Sequence, residues 1–270
     1  MALNTFQFAL LVIATLSIAA AGNVINDIHD VKADAINKPT KVIVGENISE
    51  KNAYRFFFTL NILGVFSGFL VSNLIGKPVF ATLFIIISAL LYLYASMIKG
   101  ILLIGNILIA ILVAFSILIV AFFDILPTID VSNAEDQFLA ILVVTHYACF
   151  AFFINLIREI VKDIQDINGD KNEGLNTLPI AIGRERATTV VFVLGTLAIF
   201  AVLLYTYVFL YSSQVLVLYF LLLVVAPFIY FCSKAYDSKT GEDLSLMSTL
   251  LKVIMFFGMC SILLYYMVLT

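Results

Sequence analysis

Charge is scarce in this sequence. Only 12% of its 270 residues are Asp, Glu, Lys or Arg, while 63% are hydrophobic. An ordinary soluble domain devotes roughly a quarter of its residues to charge alone, so a water-soluble globule is excluded. Cysteine is scarce as well. Cys149, Cys232 and Cys260 are odd in number, far apart and set inside apolar runs, which excludes a disulfide framework or a cysteine metal site and leaves them as small packing residues. Strand-type alternation is missing and the apolar runs are too long for barrel strands, so a β-barrel is excluded too. The first run lacks a basic leading segment and a small-residue cleavage site, which argues against a removable signal. No low-complexity linker interrupts the chain, and residues 1–270 read as a single domain.

Long apolar runs are what is there. Eight of them recur, at approximately 6–25, 55–75, 79–98, 101–123, 138–157, 188–211, 214–233 and 249–269. Each is near the roughly 20 residues that an α-helix needs to cross about 30 Å of hydrocarbon. The predicted fold is all-α: a polytopic membrane bundle of eight transmembrane helices. With residue 1 outside, the segments on the inner side carry 14 of the 15 Lys and Arg residues, and only Lys77 is left outside. That bias orients the bundle by the positive-inside rule and puts functional chemistry on the cytoplasmic face of the cell membrane.

Two polar stretches follow apolar runs on that inner side. The first, NDIHDVKAD at residues 26–34, places Asp27, Asp30 and Asp34 after Asn26; the second, KDIQDINGD at residues 162–170, repeats the spacing with Asp163, Asp166 and Asp170. On a helix Asn26, Asp30 and Asp34 share one face, as do Asp163, Asp166 and Asp170. Carboxylates so spaced repel one another, and something cationic should compensate them. Oxygen donors of this kind suit a hard ion such as Mg²⁺, which bridges one or two carboxylates to substrate phosphates. A solvated acidic face is the plainer account of either stretch alone, but it leaves their matched spacing unexplained.

The strings NDIHDVKADAINKPTK and IREIVKDIQDINGDKNEGLNTLPIAIG resemble the two aspartate-rich motifs of the UbiA superfamily of intramembrane prenyltransferases. Between them Tyr94 and Lys99 in YASMIKG, then Gly105-Asn106, are similar to that family's Tyr/Lys and Gly-Asn positions. Within the family, the wording of both motifs is nearest to the branch acting on geranylgeranylglyceryl phosphate. The resemblance implies a helical bundle around a chamber open to lipid, using Mg²⁺ to bind an isoprenyl diphosphate and promote its ionisation before a lipophilic acceptor attacks. Carried over by position, Asn26, Asp30, Asp34, Asp163, Asp166 and Asp170 would be the metal and diphosphate residues. Lys99, Arg158 and Lys162 would be the diphosphate cations, and Tyr94 would stand beside the reacting carbon. Lys38, Lys41, Lys171, Arg184 and Arg186 are candidates for an acceptor phosphate, Lys41 and Arg184 foremost.

Two departures matter. Family members usually start with a further helix preceded by Arg-Pro, giving nine spans, so an upstream segment is expected. The Arg-Pro that usually follows the first motif is here Lys41-Val42, which keeps the charge and loses the bidentate fork. Transfer to a quinone precursor, or self-cyclisation as in membrane terpene cyclases, would use the same metal motifs. A transporter is the non-enzyme alternative, but it would place ionisable residues along the spans rather than at their ends. His29 and His146 are isolated and read as non-catalytic. Nothing in this acidic, apolar chain points to nucleic acid. Pro227 reads as a kink.

Overall fold

The computed structural model of the protein describes residues 2–237 and 241–269, the side chains of Lys41 and of residues 265–269 excepted. Apart from one bridge between Val44 and Ile48, its regular elements are helical. They are α1 (Thr5–His29), α2 (Val31–Asn37), α3 (Glu50–Leu74), α4 (Ala81–Leu93), α5 (Ile104–Val120), α6 (Ala134–Asn172), α7 (Leu178–Ile182), α8 (Arg184–Tyr205), α9 (Gln214–Phe220), α10 (Ala226–Asp237) and α11 (Gly241–Leu269). With the π-turns that extend α4, α5, α8 and α9, the described residues contain eight helices long and apolar enough to cross a membrane. The protein is therefore a multi-pass helical membrane protein, as the apolar runs predict.

Its helices outrun those apolar runs, most of all at α6. Hydropathy places that span at 138–157, yet one unbroken helix of 39 residues runs on to Asn172. At 1.5 Å per residue it is roughly 58 Å long, far more than the bilayer core requires. Polar side chains end a hydropathy signal without ending a helix; between Ala134 and Gly169 the helix meets no Gly or Pro that would break it. The second acidic stretch is thus a helix end rather than a loop. Pro227 follows the π-turn Leu221–Val225 and lies just after α10 restarts at Ala226, so the lost N–H falls in a first helical turn.

The chain packs as two compact units, Met1–Ala148 with Asn168–Leu175, and Cys149–Ile167 with Asn176–Thr270. In the first, α1, α3 and α4 close on the buried Leu11, Ala14, Ile18, Val71 and Phe84. Lipid is as apolar as these side chains, so burial alone does not drive such helices together and close approach of small residues has to. Gly64 and Gly68 supply it, four residues apart on α3. A Cβ on Gly64 would lie 2.6 Å from Ile18 Cγ1, and one on Gly68 would lie 2.3 Å from the Phe84 ring. Outward-facing Phe56, Phe58, Ile62, Phe66 and Phe69 of the same helix are exposed, as a lipid-facing surface should be. Asn61 and Ser88, within the spans of this unit, are satisfied locally. Ser88 Oγ donates to Asn61 Oδ1, and the Asn61 amide donates to the Phe57 carbonyl at 3.0 Å.

The second unit repeats the device. Gly195 of α8 meets Cys232 and Phe231 of α10, Gly258 of α11 meets Phe150 of α6, and the Tyr219 hydroxyl donates to the Phe257 carbonyl at 2.8 Å. All three cysteines are free thiols.

Because an added methyl at Gly68 must displace a buried ring, Gly68→Ala is expected to destabilise the protein by about 1–3 kcal/mol. A lowered melting temperature in detergent would register it. Gly241→Ala, where a Cβ meets nothing within 4 Å, should stay within about 0.5 kcal/mol of the parent.

Candidate active site

The first motif sits where α1 ends. Backbone bonds Asp30 N–H to Asn26 O at 2.8 Å, Asp34 N–H to Asp30 O at 2.8 Å and Lys38 N–H to Asp34 O at 2.7 Å carry the helical register from α1 into α2. Although the helix is interrupted at Asp30, Asn26, Asp30 and Asp34 stay on one face, as their spacing predicts. Asp30 is only 8% exposed. One of its oxygens, Oδ2, accepts from Asn26 Nδ2 at 2.6 Å and from Lys99 Nζ at 2.5 Å. The cationic compensation that the acidic spacing calls for is therefore Lys99, which stands 69 residues further along the chain.

Local structure explains how Lys99 gets there. After α4 the backbone widens into the π-turn Tyr94–Ile98, and Lys99 N–H bonds to Tyr94 O at 2.9 Å. Such single-turn bulges redirect a side chain without ending the span. Four residues later Leu103 adopts φ 58, the one positive φ outside glycine among the described residues, at a cost on the order of 1–2 kcal/mol. Gly105 then lets α5 start against the π-turn: a Cβ there would lie 3.1 Å from both Ile98 O and Lys99 Cα, and 3.2 Å from the Tyr94 ring. Asn106 beside it is buried. The Tyr/Lys and Gly-Asn positions are thus parts of one turn that carries Lys99 to Asp30.

The end of the second motif belongs to the same unit. Gly169 N–H donates to Asn37 Oδ1 at 2.9 Å, and a Cβ on Gly169 would lie 2.4 Å from Asn37 Nδ2 and 2.7 Å from Ala33 O, so only glycine lets α6 meet α2 here. Asp170, next in sequence, is 1% exposed. Its carbonyl accepts from Leu175 N–H at 3.0 Å, and Leu175 in turn covers Gly100.

In the second unit, α6 carries Arg158, Lys162, Asp163 and Asp166. Glu159 is a residue that sequence reasoning passed over. It is 4% exposed, and its two oxygens are shared between Arg158 Nη1 at 2.9 Å and Lys162 Nζ at 3.0 Å. A signal for it was available, since a carboxylate flanked by two bases on an apolar helix is costly unless used. Asp163 and Asp166 are half-buried and Arg184 is exposed. The Lys41 side chain lies outside the described residues. Among those described, no three His, Cys, Asp or Glu side chains gather closely enough to hold a metal unaided. What does gather in the first unit is an amide, a carboxylate and a lysine.

Fold and site define a class: a membrane-embedded helical protein whose acidic and basic side chains collect at the ends of its spans. Comparison supplies the family. The UbiA prenyltransferase family matches residues 2–266, and the chain belongs to it; it is an enzyme that transfers prenyl groups. It is 32% identical over 255 residues to the digeranylgeranylglyceryl phosphate synthase of Methanosarcina barkeri, covering 94% of this chain and 80% of that protein. It is 38% identical over 174 residues to the enzyme of the same name from Methanobrevibacter smithii, covering 64% of this chain and 58% of that one. Among solved structures, one of digeranylgeranylglyceryl phosphate synthase in membranes superposes with a TM-score of 0.55 at 27% identity over 95% of this chain and 85% of that one. A UbiA homolog from Archaeoglobus fulgidus bound to GPP and Mg²⁺ matches at a TM-score of 0.55 and 17% identity, over 95% and 88% of the two chains, which shows the shared fold.

Two substitutions test this architecture. Lys99→Met keeps the aliphatic stem but leaves the largely buried Asp30 with Asn26 alone. A loss of about 1–3 kcal/mol is expected at neutral pH, read as a lowered melting temperature, against no change for exposed Lys77→Met. Gly169→Ala should cost at least as much, because one of the groups it strikes is backbone.

Proposed function

We propose that this protein transfers a geranylgeranyl group from its diphosphate to geranylgeranylglyceryl phosphate, with Mg²⁺, at the cytoplasmic face of the cell membrane. The observation that carries the reading is likeness to digeranylgeranylglyceryl phosphate synthase at 32% identity across 94% of the chain. The inward bias of Lys and Arg supports the orientation. The family match running through both units supports a single working domain over residues 1–270.

The donor set suits the metal. Asn26 Oδ1 is buried and has no hydrogen-bond partner while its amide nitrogen is committed to Asp30, which leaves an oxygen available beside a carboxylate, the hard-donor chemistry Mg²⁺ prefers. Asn26, Asp30, Asp34, Asp163, Asp166 and Asp170 would hold it. When bound, Mg²⁺ neutralises diphosphate charge and eases departure of the leaving group. Lys99, Arg158 and Lys162 would donate charge-assisted hydrogen bonds to the phosphate oxygens. The bond between the first prenyl carbon and the diphosphate oxygen breaks, with the electron pair leaving on diphosphate. The acceptor hydroxyl then bonds to that carbon and gives up its proton, which the departed diphosphate can take. Tyr94, at the start of the π-turn that ends in Lys99, would present an aromatic face to the electron-poor carbon. Arg184 and Lys41 are assigned to the acceptor's own phosphate.

Asp30→Asn and Asp166→Asn are each expected to abolish turnover; Asp166→Asn should leave the purified protein folded, while Asp30→Asn, which also breaks the pair with Lys99, should in addition lower its stability by an amount comparable to Lys99→Met. Near-parental rates for both at saturating Mg²⁺ would overturn the metal assignment. For the acceptor, Arg184→Ala or Lys41→Ala should raise the KM for geranylgeranylglyceryl phosphate by roughly 10- to 150-fold and the prenyl diphosphate KM less. Transfer of radiolabel to an aromatic acid, with none to the glyceryl phosphate, would replace this acceptor with a quinone precursor.

A further inference from the structure

The Arg158–Glu159–Lys162 group on α6 holds more than two cations require. Glu159 uses one oxygen for each neighbour, Arg158 Nη1 at 2.9 Å and Lys162 Nζ at 3.0 Å. That leaves the guanidinium edge bearing Nε uncommitted, and Arg158 Nε is buried without a hydrogen-bond partner. One turn before Glu159 on the same helix stands Asn155, 3% exposed, whose Nδ2 is likewise buried and unpartnered. Buried donors are nearly always satisfied, and two unsatisfied ones within a single turn mark a place where an acceptor belongs. An oxygen-rich anion supplies acceptors for both at once, and the edge of a guanidinium matches phosphate in particular.

We infer that Asn155 is a further phosphate-binding residue of this enzyme and that Glu159 is the positioning residue that aims Arg158 at the same phosphate. The inference rests on the proposed reading of Arg158 and Lys162 as phosphate-binding cations, and extends it to two residues outside the acidic motifs. The carboxylate lies too deep to meet solvent, and its two bonds fix both long side chains before any ligand arrives. The rotamer freedom of Arg and Lys is then lost at folding and not again at binding. Phosphate of the same chemistry is carried by the prenyl diphosphate and by a glyceryl phosphate acceptor, and the two are separable by experiment.

Charge alone makes the opposite forecast. Glu159→Gln raises the local positive charge, so a carboxylate that merely neutralises its neighbours predicts tighter anion binding in the variant. A positioning carboxylate predicts weaker binding, since the amide can accept from the two cations through one oxygen only.

The test is a titration of the full-length protein in detergent, with Mg²⁺ present, using inorganic pyrophosphate and separately glycerol 1-phosphate. Glu159→Gln and Asn155→Leu are each expected to raise the dissociation constant of one probe by roughly tenfold, the size of one charge-assisted hydrogen bond lost. Glu159→Asp, with charge kept and reach shortened, should show a smaller rise. A rise confined to pyrophosphate assigns the subsite to the prenyl donor, and one confined to glycerol 1-phosphate assigns it to the acceptor. If Arg158→Ala weakens binding while Glu159→Gln tightens it, or while Asn155→Leu leaves both probes unchanged, this inference falls and the phosphate reading of α6 stands. If Arg158→Ala alters neither probe, the phosphate reading itself fails.

Discussion

The contact between Asp30 and Lys99 is the constraint on which the first unit depends. In a chain with so few charges, a carboxylate 8% exposed at the end of a membrane helix persists only if a cation is delivered to it. Lys99 Nζ meets that need at 2.5 Å, from a point 69 residues away. Much of the local backbone answers to this one contact. The widened turn Tyr94–Ile98, the left-handed Leu103 and the side-chain-free Gly105 are all conformations that a plain span would avoid. Strain of this kind is retained where surrounding structure over-determines it, and it concentrates at working sites.

The rest of the architecture follows from having lipid for a solvent. Without a hydrophobic drive between apolar helices, closeness comes from missing side chains: Gly64 against α1, Gly68 against Phe84, Gly195 against α10 and Gly258 against Phe150. The same economy serves the site. Gly169 lets α6 reach α2, and Gly100 lies under Leu175, so the end of the second motif is seated by glycine. Structural and chemical uses of glycine differ here only in what lies on the far side of the contact.

Much of this is legible in the sequence because membrane physics leaves few alternatives. Run length gives eight helices, and the spacing of Asn26, Asp30 and Asp34 gives a shared face that survives the break in the helix. Helix ends are not legible in the same way. Hydropathy falls at residue 157, whereas α6 continues to Asn172, because backbone hydrogen bonding does not distinguish polar from apolar side chains. The partner of Asp30 could be anticipated as a cation, and Lys99 was among the candidates, but pairing two residues that far apart in sequence needs the fold. Glu159 went unread because attention to a motif favours its repeating letters over the single acid between two bases. Arg158 and Lys162 stand out in the sequence as candidate cations, and the carboxylate that pairs with both does not.

The charge pattern also bears on how a polyanion is handled. Asp27, Asp30 and Asp34 repel a diphosphate, and Asp163, Asp166 and Asp170 do the same, so in the proposed reaction neither stretch attracts its substrate unaided. Lys99 is already committed to Asp30, and Arg158 with Lys162 to Glu159. The cations that would meet the substrate are thus each partly neutralised by a carboxylate of the protein. A protein so arranged stores its lysines and arginine without leaving them as bare charges beside a membrane. In the proposed reaction the aspartates would be satisfied by a divalent ion, whose chemistry is to supply positive charge to a diphosphate. On this account Glu159 holds Arg158 and Lys162 in place for a phosphate, while the aspartates would need a cation before a diphosphate could sit beside them.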